Sequence, residues 1–328
     1  MTQDRVHYRR WLLPLAKFVI VLLLLWGVQA TLRTAIDGLT LRLAAGQWRL
    51  QPGWIVAAGA LYLLGLLPCG VFWHRVLLAV SQESSLARTL RAYYIGHLGK
   101  YVPGKAMVVI LRTALVKAKG QPSSIVAVSV LYETLTMMAA GAFLAAAVLG
   151  LWRQEQPAFA WLSLGLMALA GLPTLPPVFR RLCRMGRVGR GDAAATASIE
   201  RMDYRLLATG WPLAILSWLL LGLSLWATLR GLGLSGLEPF RLLPLYVAAV
   251  SLATVAGFLS LIPGGALVRE FVLLELLVLL PGVDPATALL GALLLRLIWL
   301  VAELLISAIL YAAAFLPPFK ARLQPATD

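Results

Sequence analysis

Few side chains in this sequence could do chemistry, and most of them stand where charge is expensive. Lys100 and Lys105 flank a Pro103-Gly104 pair with Arg112 beyond it, and Arg269 follows a second pair, Pro263-Gly264, extended by Gly265. A Pro-Gly pair ahead of an apolar helix suits a helix start, because proline tolerates the first turn and glycine lets the backbone come close to a ligand. The free amides and positive dipole end there favour an anion such as a lipid phosphate. Lysine would add a point charge and arginine a planar fork. The plainer alternative is an interfacial turn whose lysines snorkel to the surface.

A second set lies inside long apolar runs: Glu133, Arg269, Glu270, Glu275, Arg296 and Glu303. Each such charge costs several kcal/mol at a bilayer centre unless it is paired or hydrated. Glu133, Glu270, Arg296 and Glu303 are therefore expected to pair or to line a cavity. Arg296 and Glu303 are about two helical turns apart and share a face. Structural ion pairing between helices is the competing reading, and Glu133 as a proton-linked carboxylate has no independent support.

Other chemistries lack their residues. His7, His74 and His97 occupy unrelated segments with no carboxylate at metal spacing, so no metal site is expected. Cys69 and Cys183 stand singly and form no disulfide framework or redox motif. There is no phosphate-binding loop and no nucleophile elbow. Asp37, Glu155, Glu238 and Asp284 are scattered over external loops, whereas a membrane glycosyltransferase would want clustered carboxylates. Neither an enzyme nor a cofactor is expected.

The elements that must hold these groups follow from composition. Hydrophobic residues make up 60% of the chain and charged ones 13%, against roughly 25% charged in a soluble domain. The apolar residues form blocks such as 18–27, 57–67 and 213–229, and about 20 apolar residues span a bilayer as a helix. Barrel strands would alternate instead. The expectation is an all-α polytopic membrane bundle of about eight crossings, at residues 11–31, 53–79, 123–150, 157–178, 206–229, 243–262, 266–281 and 286–315. The first, preceded by Arg5, Arg9, Arg10 and Lys17, reads as a retained signal anchor.

With both termini in the cytoplasm of the cell membrane, most of the 29 Lys and Arg fall on cytoplasmic segments. That placement, and not nucleic acid, accounts for the net charge of +15. The cluster Arg180, Arg181, Arg184, Arg187, Arg190, Arg201 and Arg205 has only Tyr204 as an aromatic neighbour and reads as a topology signal touching anionic lipid. The chain is taken as one integral membrane domain, its halves at about 11–178 and 206–316 joined by a basic cytoplasmic loop, 179–205.

Two stretches fit a crossing poorly. Residues 266–281 are too short and too charged, and rise only about 24 Å as helix. Residues 85–120, with apolar residues from Ala106 to Leu111 cut off by Arg112, suit a re-entrant or interfacial segment better. These two places also echo one another. Val102-Pro103-Gly104-Lys105-Ala106-Met107-Val108 recurs as Ile262-Pro263-Gly264-Gly265-Ala266-Leu267-Val268, each copy followed by an arginine, Arg112 or Arg269. Duplicated transporter folds build substrate sites from such paired broken helices.

The ordered set Gly99-Lys100-Tyr101-Val102-Pro103-Gly104-Lys105 with Arg112, then Glu133, Pro263-Gly264-Gly265 with Arg269-Glu270, and Arg296 with Glu303, resembles the lysylphosphatidylglycerol synthase transmembrane region, or flippase-like family, from about residue 11 to 316. The resemblance implies a membrane domain that moves or presents phospholipids or lipid-linked sugars. Bifunctional members carry a further cytosolic aminoacyltransferase domain; this sequence stops at Asp328, so synthase activity is not carried over. Two positions depart from the family pattern: Leu267 stands where glycine is usual, and Thr134 where an arginine often follows the glutamate. The second removes one candidate partner for Glu133.

The leading expectation is a lipid translocase or lipid-binding transporter for an anionic phospholipid or lipid-linked sugar. Lys100, Pro103, Gly104, Lys105, Arg112, Pro263, Gly264, Gly265 and Arg269 would surround the headgroup. The rival expectation is an accessory protein that presents lipid to a separately encoded glycosyltransferase or aminoacyltransferase. The expected partners are membrane lipids, with or without such an enzyme.

Overall fold

The computed structural model describes residues 50–82, 84–102, 106–116, 123–152, 157–188, 190–260, 265 and 267–314. The expected crossing at 11–31, the anchor reading attached to it, and Pro103, Gly104, Lys105, Pro263 and Gly264 lie outside the described residues.

The described chain is helical, as its apolar blocks require. Four helices are long enough to cross a membrane: α1 (Pro52–Ala79), α4 (Ser123–Trp152), α8 (Tyr204–Gly231) and α11 (Pro285–Ala313). At 28 to 30 residues each, they rise about 42–45 Å, more than the roughly 30 Å of hydrocarbon. Their starts are chemically marked. Asp203 accepts from the Leu206 amide to cap α8, and Asp284 caps α11 ahead of Pro285.

α1 and α8 run antiparallel along a seam made close by glycine. Gly231 abuts Ile55, Gly65 meets Leu220 and Leu221, and Gly210 lies against the Phe72 ring. In lipid, where apolar contact alone gives little preference for another helix, small residues that let backbones approach supply the packing energy. Trp218 of α8 reaches into α4, its indole donating to the Met137 carbonyl at 2.9 Å over the bare Gly141.

Between α1 and α4 stand α2 (Leu86–His97), a 3-10 turn (Leu98–Tyr101) and α3 (Ala106–Val116). Arg88, near the start of α2, donates to the Leu115 carbonyl at the end of α3 at 3.1 Å. At the opposite end Gly99 faces the backbone of Met107 and Val108. The pair is thus a closed hairpin. Its tip, at Lys100, touches Tyr62 in the middle part of α1, so it enters the bundle from the end where α1 finishes and turns back inside. Of the two alternatives expected for 85–120, re-entrant or interfacial, the described residues 85–102 and 106–116 fit the re-entrant one.

Between α8 and α11 stand α9 (Leu243–Leu259) and α10 (Val268–Leu277). The expected crossings at 243–262 and 266–281 are corrected by this arrangement. At 17 and 10 residues, the helices rise only about 25 and 15 Å, and they are two arms of one hairpin. Gly257 packs against Gly265 and Arg269 at its tip, while Leu277 returns to Gly291 and thus to Leu229, at the end where α8 finished. Hydropathy reports how long an apolar run is and not whether the chain turns back, which is why the two arms read as crossings.

The units α1–(α2, α3)–α4 and α8–(α9, α10)–α11 are therefore related by inversion. Each is a spanning helix, a re-entrant hairpin and a second spanning helix, and the two hairpins enter from opposite ends of the bundle. Outside this repeat lie α5 (Pro157–Gly171), a 3-10 turn (Leu172–Thr174), α6 (Pro176–Met185) and α7 (Ala193–Glu200). Pro173, Pro176 and Pro177 break the expected fourth crossing before residue 178. Much of the basic segment 179–205 is helical. Phe179 and Cys183 pack with Val76 and Tyr132, and Arg180 ties α6 to Glu200 at 3.3 Å.

The tight turn gives a test. A methyl group at Gly99 would fall 2.5 Å from the Val108 nitrogen and 2.7 Å from the Met107 carbonyl carbon, both backbone atoms that cannot swing away. Gly99→Ala is expected to cost about 1–3 kcal/mol of stability, measured as a lower Tm in detergent. Gly53→Ala, which meets nothing within 4 Å in the first turn of α1, should not lower Tm.

Candidate functional site

The hairpin tips meet around a cavity of about 310 Å³, at the small end of ordinary ligand pockets, roughly 300–1,000 Å³. Tyr93, His97 and Lys100 line it from the first hairpin's inbound arm, and Val108 and Arg112 from the return arm. Thr254, Gly257, Gly265 and Arg269 line it from the second hairpin, Glu133 from α4, Tyr62 from α1 and Trp299 from α11. Leu131 of α4 and Phe258 of α9 also line it, and both are more than a third exposed on the outer surface.

Each hairpin is tied by an ion pair to the spanning helix that follows it. Arg112 on α3 donates to Glu133 Oε2 on α4 at 2.7 Å, and Glu270 on α10 accepts from Arg296 on α11. The signs are exchanged between the halves. A third pair closes the ring across the inverted units, with Lys100 bonded to Glu303 of α11. The Tyr62 hydroxyl also donates to Glu303, and Lys100 lies 3.2 Å from that hydroxyl.

Arg112 is held by more than its carboxylate. Its guanidinium carbon stands 4.0 Å from the Tyr93 ring centre and 5.1 Å from that of Trp73, in reach of cation–π attraction. The Tyr93 hydroxyl donates to the other oxygen of Glu133 at 3.0 Å, and Thr134 donates to Oε2 at 3.3 Å. Thr134 thus adds a bond to Glu133, and Arg112 supplies the charge. Gly96 leaves room for the Arg112 stem.

Three carboxylates in this interior, Glu133, Glu270 and Glu303, are matched by Arg112, Arg296 and Lys100. Arg269 is left over. It donates to the Thr254 hydroxyl at 2.7 Å and stands 5.7 Å from the Trp299 ring centre, with no carboxylate within 4 Å among the described residues. Gly257 and Gly265 make way for its stem. Around the same cavity the buried Arg112 Nε has no hydrogen-bond acceptor. Among the described residues this interior carries one uncompensated positive charge, on Arg269, which lines a volume that a small anionic group fits.

Of the residues singled out in the sequence, Lys100, Arg112, Glu133, Gly265 and Arg269 therefore meet at one cavity. Glu270, Arg296 and Glu303 stand behind it and pair with others. Arg296 and Glu303 share the inner side of α11 but serve different partners. Tyr62, Tyr93, Thr254, Gly257 and Trp299 were not singled out, because one aromatic or small residue in an apolar helix looks the same in a core as in a cavity wall.

Fold and site together define a polytopic helical membrane protein with an inverted pair of re-entrant hairpins around an internal charged cavity. Residues 14–307 match the model of the family described as the lysylphosphatidylglycerol synthase TM region, and the chain belongs to that flippase-like membrane family. A comparison with curated proteins finds no match.

Two substitutions test the geometry. Arg112→Ala strands Glu133 in the interior and should cost about 3–5 kcal/mol, whereas an apolar pair such as Arg112→Met with Glu133→Leu should recover much of it; thermal unfolding of the three proteins decides. Leu267 adopts φ +66°, in the left-handed region that side chains disfavour. Leu267→Gly should relieve that backbone strain and stabilise the protein by about 1 kcal/mol, read as a higher Tm.

Proposed function

We propose that the protein is a flippase-like lipid translocase or lipid-binding transporter that takes the anionic headgroup of a phospholipid or lipid-linked sugar into this chamber. The carrying observation is Arg269, an interior cation without a carboxylate partner among the described residues, facing a cavity that both hairpins build. A phosphate oxygen at Arg269 would balance the interior charge. Arg112 and Lys100 line the same cavity and would share it.

The partly exposed Leu131 and Phe258 make an apolar rim toward lipid, which suits tails that stay in the bilayer while the headgroup moves. Paired inverted repeats are the device by which many transporters expose one central site to either side in turn. In this reading the arginine-rich α6–α7 end, from which α2–α3 enters, faces the cytoplasm of the cell membrane by the positive-inside rule. The protein binds and moves lipid without altering it covalently.

The test is transbilayer movement of fluorescent anionic lipid in reconstituted vesicles. Wild-type protein should accelerate it over empty vesicles, Arg269→Lys should retain part of the rate, and Arg269→Ala should return it to the empty-vesicle value. Wild-type vesicles no faster than empty ones would overturn the reading.

A further inference from the structure

A second, separate cleft of about 640 Å³ opens at the end of the bundle where α1 finishes and α8 begins. Arg75 of α1, Arg201 and Arg205 line it, together with Ala79, the buried Leu206, Thr209 and the carboxylates of Glu200 and Asp203. Its two carboxylates are engaged elsewhere. Asp203 accepts the Leu206 amide at 2.8 Å as the α8 cap, and Glu200 pairs with Arg180. Arg201 donates to the Ser81 hydroxyl. Among the described residues no carboxylate lies within 4 Å of Arg75, Arg201 or Arg205.

Depth identifies the chemistry. Arg75 stands four residues before the end of α1, about 6 Å along the axis, and Arg205 sits in the first turn of α8. If these helices cross the bilayer, the three guanidiniums lie at headgroup level. A basic pocket between membrane helices at that level suits the phosphodiester of an anionic lipid. A dissolved phosphate ester shares the anionic chemistry but is not held at that level by acyl chains.

We propose that this cleft is a resident site for an anionic phospholipid, distinct from the central chamber, whose phosphate bridges the α1–α8 seam and so holds the two inverted units together. The site does not depend on the transport reading. A lipid that binds only the folded state raises its stability.

The test is thermal unfolding of the full chain in nanodiscs. Replacing part of the phosphatidylcholine with phosphatidylglycerol should raise the wild-type Tm by several degrees. Arg75→Gln/Arg201→Gln/Arg205→Gln should lose that rise. Arg181→Gln/Arg184→Gln/Arg187→Gln, which removes equal charge from the same end, should keep it. The proposal is overturned if the cleft triple keeps the whole rise, if the control triple loses it, or if inorganic phosphate produces the same rise in pure phosphatidylcholine. Should the cleft triple not fold, Arg75→Gln alone is read by mass spectrometry of the intact protein. Retention of phosphatidylglycerol several-fold below wild type supports the site, and equal retention overturns it.

Discussion

A charge in the interior of a membrane bundle must be answered by another charge, and this requirement organises the molecule. Glu133, Glu270 and Glu303 each find a cation on a neighbouring element. Because the partners lie on hairpins and on the spanning helices beside them, every ion pair is also a structural tie. Removing one member is costly for the reason that keeps the tie in place: the stranded charge has no water to turn to. Arg269 breaks the pattern, and it does so at the cavity.

The hairpins themselves need explanation, since short helices ending inside a bilayer leave backbone groups unpaired. Among the described residues, close packing accompanies both turns. Gly99 brings the first hairpin's backbone against Met107 and Val108, while Gly257 and Gly265 let the second close around the Arg269 stem. The glycine-lined α1–α8 seam fixes the two units back to back, so tips that enter from opposite ends reach the same level. Inversion then makes one chamber from two similar pieces, with the sign of the hairpin tie exchanged between them.

Much of this was legible in the chain. The all-helical membrane class follows from apolar block length, and the echo of Val102–Val108 in Ile262–Val268 singled out the two places that fit a crossing poorly, although 266–281 still read as a crossing. The charged residues on both sides of the cavity were also marked by their setting, since ionisable groups in apolar runs are rare. The pairings were not legible. That Arg112 belongs to Glu133, and Glu303 to Lys100 and not to the chemistry of Arg296, depends on which elements pack together, and sequence spacing carries no such information. The direction of α9 and α10 was hidden for a similar reason, because a returning arm and a crossing have the same composition. Leu267 lies between these cases: its departure from the family's glycine was visible, and its positive φ supplies the physical meaning.

The account rests on α9 and α10 turning back inside the membrane instead of crossing it. Single cysteines at Ser84, Phe240, Leu259 and Leu279, introduced with Cys69 and Cys183 replaced by alanine, can be probed with a membrane-impermeant maleimide from each side of sealed vesicles. The inverted-hairpin arrangement predicts that positions 240 and 279 react from one side, position 84 reacts from the other, and position 259 reacts from neither. Reaction of position 259 from the side that labels position 84 would mean that α9 crosses, and would contradict it.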